Sequence, residues 1–453
     1  MAGDLDMPEL FSELLDCAAP AGGGVPLGRA RLREPVRDQV EMRLCDLDAL
    51  ISADHPARMF WTYACKVDFS AFEASVKSRD GVAGMPQTSP QLLLALWLCA
   101  TARGIGSARE LARLCERETE FRWLCGDVSV NHRILSQFRT SQGARIGDLL
   151  ARHVASLSLA GLINLDEIAQ DGVRIRASAG AASFRRRKTL ESELVKAQDV
   201  VAKLAKQEGE DPGTPGKRIK AARERAAKER EARVACALEA LGKAEKLREK
   251  RLKTNKAQAQ KQKEPRASTT DPEARVMKMA DGGFRPAYNV QFASLPENGI
   301  IVAVGNETSG SDRGLAEPMA QKVEDAYGER PKTHLADGGY SCAGDIEAAA
   351  AAGTVLVCPA IKSKSGRDAH EPRDEDSKPV AQWRALMGSD AGKAIYQRRS
   401  RCELVHARLR NLHLDRLLLR GKEKVTIWMT WFALAGNLVT EARLVEEKRL
   451  KAA

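Results

Sequence analysis

From about residue 41 to 158 the apolar residues recur at helical spacing, and beyond that they shift to short, β-branched runs. Ser89-Pro90 sets a capping residue before a proline at the first helical turn. QLLLALWLCATA follows, apolar on every side, which predicts a buried helix. GSARELARLCERETEFRWLCG then reads as helix, Gly126-Asp127 as a turn, and NHRILSQFRTSQGARIGDLLARHVASL as a second helix. Such a pair has the outline of a helix-turn-helix, with His132, Arg133, Gln137 and Arg139 available for DNA. A helical bundle with a basic outer face gives the same pattern.

Period-two runs mark the second half. LINLDEIAQDGVRIRAS is rich in Ile and Val and broken by Gly172, which predicts a strand or a strand pair. YNVQFASLPENGIIVAVGN holds two strand-like runs around Pro-Glu-Asn-Gly, a hairpin signal. LAEPMAQKVEDAYG reads as helix, KTHLADGGYS as a strand ending in a Gly-rich turn, CAGDIEAAAAAG as helix and TVLVCPA as strand. The result is an α/β core with Asp171 on its first strand.

Between that strand and the hairpin lies a different texture. Leu190, Leu194, Ala197, Val201 and Leu204 keep a heptad seam. EGEDPGTPG breaks it, and a charged, Ala-rich helix resumes with a looser seam at Ile219, Ala222, Ala226, Val234, Leu238 and Leu241. An antiparallel helical hairpin is expected. Charge concentrates here: residues 185–264 hold 24 basic and 13 acidic residues, a surplus equal to the +11 of the whole chain. The hairpin could clamp DNA phosphates or serve dimer contacts, and the two are compatible. The domain division read from these shifts is a flexible Ala/Gly/Pro-rich leader (1–40), a helical N-terminal DNA-binding domain (41–158), the first part of the core (159–184), the inserted hairpin (185–265), the rest of the core (266–420) and a C-terminal helix (421–453).

The ten cysteines form no C-x-x-C pair, which argues against a zinc ribbon or a thioredoxin-like motif. With no signal peptide at the start, they read as reduced thiols of a cytoplasmic protein. The apolar run Val425–Thr440 is too short to span a bilayer and reads as a buried helix.

The most specific chemistry sits in YQRRSRCELVHARLR, Tyr396 to Arg410. Wound as one helix, it puts Tyr396, Arg399, Glu403 and Arg410 within about 60° of one another, with Val405, Leu409 and Leu412 opposite. One face packs; the other presents a ring, two guanidinium groups and a carboxylate. His406, at the edge of the stripe, is read as structural.

Tyr-x2-Arg-x3-Glu-x6-Lys/Arg resembles the signature around the last acidic residue of a group of bacterial insertion-sequence transposases of the DDE type. The last position carries Arg410 where that family has Lys, keeping the charge but exchanging a compact ammonium for a planar fork. QDGVRIRAS resembles the block of the first catalytic Asp, HLADGGYS that of the second, STTDPEARVMKMADGGFRPAYNVQ the entry to the second and third strands, and GSARELARLCERETEFRWLCG the helical N-terminal domain.

The resemblance implies a ribonuclease-H-like catalytic core, a mixed sheet flanked by helices, with a helical N-terminal domain and an inserted helical hairpin. It implies a catalytic and metal-ligating triad of Asp171, Asp337 and Glu403 for two Mg2+ ions, Mn2+ substituting. Asp171 bridges both ions in that reading. Such chemistry needs hard oxygen ligands around two ions, which three carboxylates and the substrate phosphate supply. Tyr396, Arg399 and Arg410 are then DNA ligands. The expected partners are double-stranded DNA, as terminal inverted repeats and target, and a second copy of the chain on that DNA, in the bacterial nucleoid. Alternatives are a nuclease of the same fold without strand transfer, or an inactive DNA-binding repressor. Asp166, Asp271 and Asp281 are rival carboxylates; Asp281 is followed by two glycines as Asp337 is, but precedes the hairpin, whereas the site needs an Asp beyond it. Asp271 and Asp281 are read as loop residues shaping or contacting DNA.

Overall fold

A computed structural model describes residues 46–70, 72, 86–206, 214–254, 264–361 and 367–452. The expected leader at 1–40 and most of the EGEDPGTPG break lie outside the described residues. Helices come first: α1 (Pro56–Cys65), α2 (Pro90–Ala102), α3 (Ala108–Arg117), α4 (Thr119–Cys125), α5 (His132–Ser141) and α6 (Gly143–Leu159). α2 starts at Pro90 as its sequence predicts and is buried along nearly its whole length. Each of the two long helices expected after it is split. The backbone is extended at Glu118, between α3 and α4, and leaves helical geometry at Gln142, between α5 and α6. Gly143 opens α6 in close contact with another helix; a Cβ there would lie 2.7 Å from Cδ1 of Ile427.

The sheet is then laid down by β1 (Glu167–Arg176), interrupted by β2 (Phe184–Arg185), α7 (Arg187–Lys206), α8 (Thr214–Thr254) and β3 (Ala267–Ser268), and completed by β4 (Arg275–Lys278), β5 (Phe284–Ser294), β6 (Ile301–Glu307), α9 (Ala316–Tyr327), β7 (Thr333–Leu335), α10 (Ala343–Ala351) and β8 (Val355–Val357). β1 is central, antiparallel to β5 and parallel to β7; β7 is parallel to β8, and β5 carries β6 and the short β4 on its far side. Four helices follow: α11 (Lys378–Gly388), α12 (Asp390–Gln397), α13 (Cys402–Asn411) and α14 (Lys422–Ala452). The mixed sheet flanked by helices is the ribonuclease-H-like architecture the sequence led us to expect.

α7 and α8 form the expected hairpin. Leu190 of the first arm buries against Val234, Ala237 and Leu241 of the second, and Ala197 is buried further along the same arm. Further out the second arm departs from the predicted seam: Ile219, Ala222 and Ala226 are exposed, and the inward line runs through Glu224, Ala227 and Glu231. That line keeps the 4-3 spacing back from Val234, so the helix holds its register while the apolar residues drift off it. At the base, β2 pairs with β3 and the Ser183 and Ser268 hydroxyls meet at 2.7 Å, which brings both ends of the insertion together beside the sheet.

One apolar core runs from α1–α6 through α14 to one face of the sheet, and a second lies between β7, β8, α10 and α11. α14 joins the first core together. Its Trp431 and Phe432 are buried, and Asn437 grips the edge of β6, accepting from Ile301 N at 2.8 Å and donating to Ile301 O at 2.7 Å. Among the described residues no helix is long and apolar enough to cross a membrane.

Candidate active site

Strand register brings the first two carboxylates together. Ala169 of β1 pairs with Leu335 of the parallel β7; Asp171 and Asp337 each follow two residues later and so leave adjacent strands at one level. Asp337 ends its strand by accepting from Gly339 N at 2.7 Å, the first bond of a tight 3-10 turn. Asp171 accepts from Gly172 N at 2.9 Å and is directly opposite Phe292 of β5.

The segment around Glu403 is not a single helix. α12 stops at Gln397, Arg398–Arg401 form a 3-10 turn, and α13 starts at Cys402. The tighter winding of the turn takes Arg399 off the solvent-facing stripe. Its guanidinium is buried and pairs with Asp171 Oδ2 at 2.9 Å, beside the half-buried Tyr396. Glu403 and Arg410 remain exposed on α13, while Val405 and Leu409 pack into the core as expected. His406 is more than a packing residue: its Nδ1 lies 3.5 Å from Asp171 Oδ2. Burial, with Arg410 and Arg399 nearby, holds its pKa down at about 4, so it meets Asp171 as a neutral ring.

Electrostatics mark the site as one anionic pocket. Burial raises the Asp171 carboxyl above its ordinary range, Arg399 opposes this, and Asp312 and Glu403 push it further up. Asp337 is raised chiefly by burial, with Asp171 and Asp312 adding to the effect. Asp312, in the loop between β6 and α9, was not singled out in the sequence. Its Oδ1 accepts from Asn289 Nδ2 at 2.7 Å and Gln291 Nε2 at 2.9 Å. The available signal was Asn289 and Gln291 themselves, two amides on one face of β5 between the apolar Ala287 and Ala293.

These residues suit a divalent cation. The donors are hard oxygens, burial and neighbouring acidic groups raise the carboxyls of Asp171 and Asp337, and the cation now meeting Asp171 is the Arg399 guanidinium. Among the described residues no three His, Cys, Asp or Glu side chains stand close enough to form a ready-made cage.

Other sequence-predicted residues fall elsewhere. On α5, Arg133 and Gln137 are exposed and His132 is half-buried. Arg139 is not available to DNA: it is 4% exposed, its guanidinium lies 4.4 Å from the Trp97 ring and 4.9 Å from the Trp428 ring, and it donates to Gly106 O. Asp271 does not contact DNA from a loop either. It is fully buried, accepting from the Tyr288 hydroxyl at 2.7 Å and Gly421 N at 3.2 Å. Asp281 is exposed and paired with Arg285, and Asp166 with Lys332.

Residues 246–438, which carry Asp312, Asp337 and Glu403, match the family model described as a transposase DDE domain; residues 45–141 match a second, described as a transposase domain. The chain belongs to the DDE-type transposases of insertion sequences. No curated protein and no solved structure gives a match to it. This transposase is therefore a metal-dependent, DNA-cleaving enzyme that binds DNA. Its DDE match begins inside α8 and leaves β1 outside, so Asp171 is tied to the domain by the strand register described above.

Proposed function

We propose that Asp171, Asp337 and Glu403 are the catalytic triad and hold two Mg2+ ions, with Mn2+ able to replace them. The ions, when bound, activate the attacking oxygen and stabilise the leaving one at a phosphodiester. Asp171 and Asp337 would hold them from adjacent strands, and Glu403 from α13. Arg399, which pairs with Asp171 in the structure, would be free to take a backbone phosphate once a cation held that carboxylate, its planar fork giving two charge-assisted bonds. Tyr396 and Arg410 grip the same strand from either side of Glu403. His406, neutral and buried, keeps Asp171 in place without competing for protons. The reaction frees a 3′-hydroxyl at each transposon end and joins it to target DNA at the same site. Terminal inverted repeats are the specific ligand, read in part by His132, Arg133 and Gln137, with the basic hairpin lying along phosphates. Two copies pair the two ends, in the nucleoid.

One observation carries this reading: two carboxylates leave neighbouring parallel strands at one level, each held above its ordinary pKa by burial and by the charge of the other acidic groups. Supercoiled plasmid carrying the element's ends, incubated with protein and Mg2+, tests it. Joined products that vanish in Asp337→Asn and Glu403→Gln are expected. Nicking without joining would make the enzyme a nuclease. Binding to the ends with no cleavage in Mg2+ or Mn2+ would make it a repressor.

A further inference from the structure

We propose that Asp312 is a fourth carboxylate of the catalytic site, which would hold the divalent cation alongside Asp171 and Asp337 once Arg399, now paired with Asp171, gives up that carboxylate. The inference rests on the metal-holding role proposed for those two. It begins in β5, where Asn289 and Gln291 are each 1% exposed. Buried amides are costly unless every polar atom finds a partner, so their bonds fix their orientation. Gln291 Oε1 accepts from Gln170 Nε2 at 2.8 Å and from the Tyr340 hydroxyl. Its Nε2 therefore points the other way, to Asp312 Oδ1 and to Asn289 Oδ1. Gln170 directly precedes Asp171, and Tyr340 closes the turn after Asp337, so the network that aims at Asp312 is tied to both catalytic strands.

Two neutral amides commit one oxygen of Asp312 without cancelling its charge. Arg174 Nη2 stands 3.7 Å from the second oxygen, on a side chain 37% exposed, too loose a pairing to neutralise it. A purely structural knot would need only the accepting oxygen; a carboxylate leaves a charged one over.

Gly172 clears the space around it, and Gly339 marks where it comes near Asp337. A Cβ on Gly172 would lie 2.9 Å from Asp312 Oδ1 and 2.3 Å from Gln291 Nε2. On Gly339 it would lie 2.8 Å from Asp337 Oδ1 and 3.6 Å from Asp312 Oδ2. The free oxygen of Asp312 and the carboxylate of Asp337 thus flank one point. The glycine just after Asp171 is what lets Asp312 approach.

The test is a Mn2+ titration of the full chain without DNA, following free Mn2+ by its paramagnetic resonance signal. Asp312→Asn, which keeps the shape and the accepting oxygen, is expected to weaken binding about 10- to 100-fold. Asp281→Asn, at an exposed carboxylate paired with Arg285, should bind as the unaltered chain does. If Asp337→Asn weakens binding and Asp312→Asn does not, this inference is overturned and the triad stands. If neither does, the triad reading itself fails. Should Asp312→Asn not fold by circular dichroism, Fe2+ with ascorbate and peroxide maps the ion in the unaltered chain. Backbone cuts beside residue 312 as well as 171 and 337, suppressed by Mg2+, are expected; no cut between 308 and 315 overturns the proposal.

Discussion

Arg139 offers a sharp test, because its residue type and its surroundings point to opposite roles. Its position on α5 suits a DNA ligand, yet its guanidinium lies against both Trp97 and Trp428, which meet edge to face, and its Nη1 donates to Gly106 O. Desolvated cation–π contacts are worth about 2 kcal/mol each, and a hydrogen bond from a charged donor about 1.5–3 kcal/mol. Against this, burial lowers the Arg139 pKa to about 10, a desolvation cost of about 3 kcal/mol at roughly 1.4 kcal/mol per unit. The charge therefore gives a modest net gain, and most of the residue's value is in packing against the two rings. Arg139→Ala removes the contacts and leaves a cavity, so it should cost about 3–5 kcal/mol. Arg139→Met keeps the volume and buries no charge, and should cost less than about 2 kcal/mol. Urea unfolding followed by tryptophan fluorescence reads both, since Trp97 and Trp428 report on the site directly. Affinity of the folded protein for labelled transposon-end DNA should be unchanged in Arg139→Met. It should fall in Arg133→Ala, whose side chain is exposed. An Arg139→Met protein of normal stability that binds DNA tenfold more weakly would refute the packing role; so would Arg139→Ala with an unshifted midpoint.

Three further outcomes are expected. Asp337 is pushed above its ordinary pKa of 3.8 mainly by burial, so its stabilising protonated state is fully present below 3.8 and lost as pH rises through the folded value. At neutral pH the charged carboxyl is thus a cost, and Asp337→Asn should raise the melting temperature of the metal-free protein while abolishing cleavage; a lowered melting temperature would contradict this. Asn437→Ala strands both the N–H and the C=O of Ile301 at the edge of β6 and should cost about 2–4 kcal/mol in urea titration, whereas a loss under about 0.5 kcal/mol would mean water replaces the amide. Gly172→Ala forces a Cβ against Gln291 and Asp312, and should lower cleavage at least tenfold at a stability cost of about 1–3 kcal/mol; wild-type cleavage would show that the network yields without consequence.

The parts of this fold that local chemistry decides were legible in the chain. Ser89-Pro90 starts α2, Pro-Glu-Asn-Gly turns β5 into β6, and the runs around Asp171 and Asp337 form neighbouring strands. What was hidden depends on partners distant in sequence. Nothing near Arg139 announces Trp428, and nothing near Asp312 announces Gln291. Tyr396–Arg410 keeps helical spacing throughout, yet a 3-10 turn at Arg398–Arg401 sends Arg399 inward to Asp171, a choice made by the buried carboxylate and invisible to periodicity. The second arm of the hairpin erred for a related reason: alanine satisfies either face of a helix, so Ala222 and Ala226 could not fix its phase.

The narrow neck of that hairpin has a consequence for the variability of the enzyme. Because the chain departs at Phe184 and returns opposite at Ser268, the arm can lengthen, shorten or be exchanged without shifting β1 against β5. Loop-closure entropy grows only slowly with length, so such changes are cheap. Grafts at this junction, from a tight turn to a different DNA-contacting module, should leave the cutting centre intact and alter only what is held beside it.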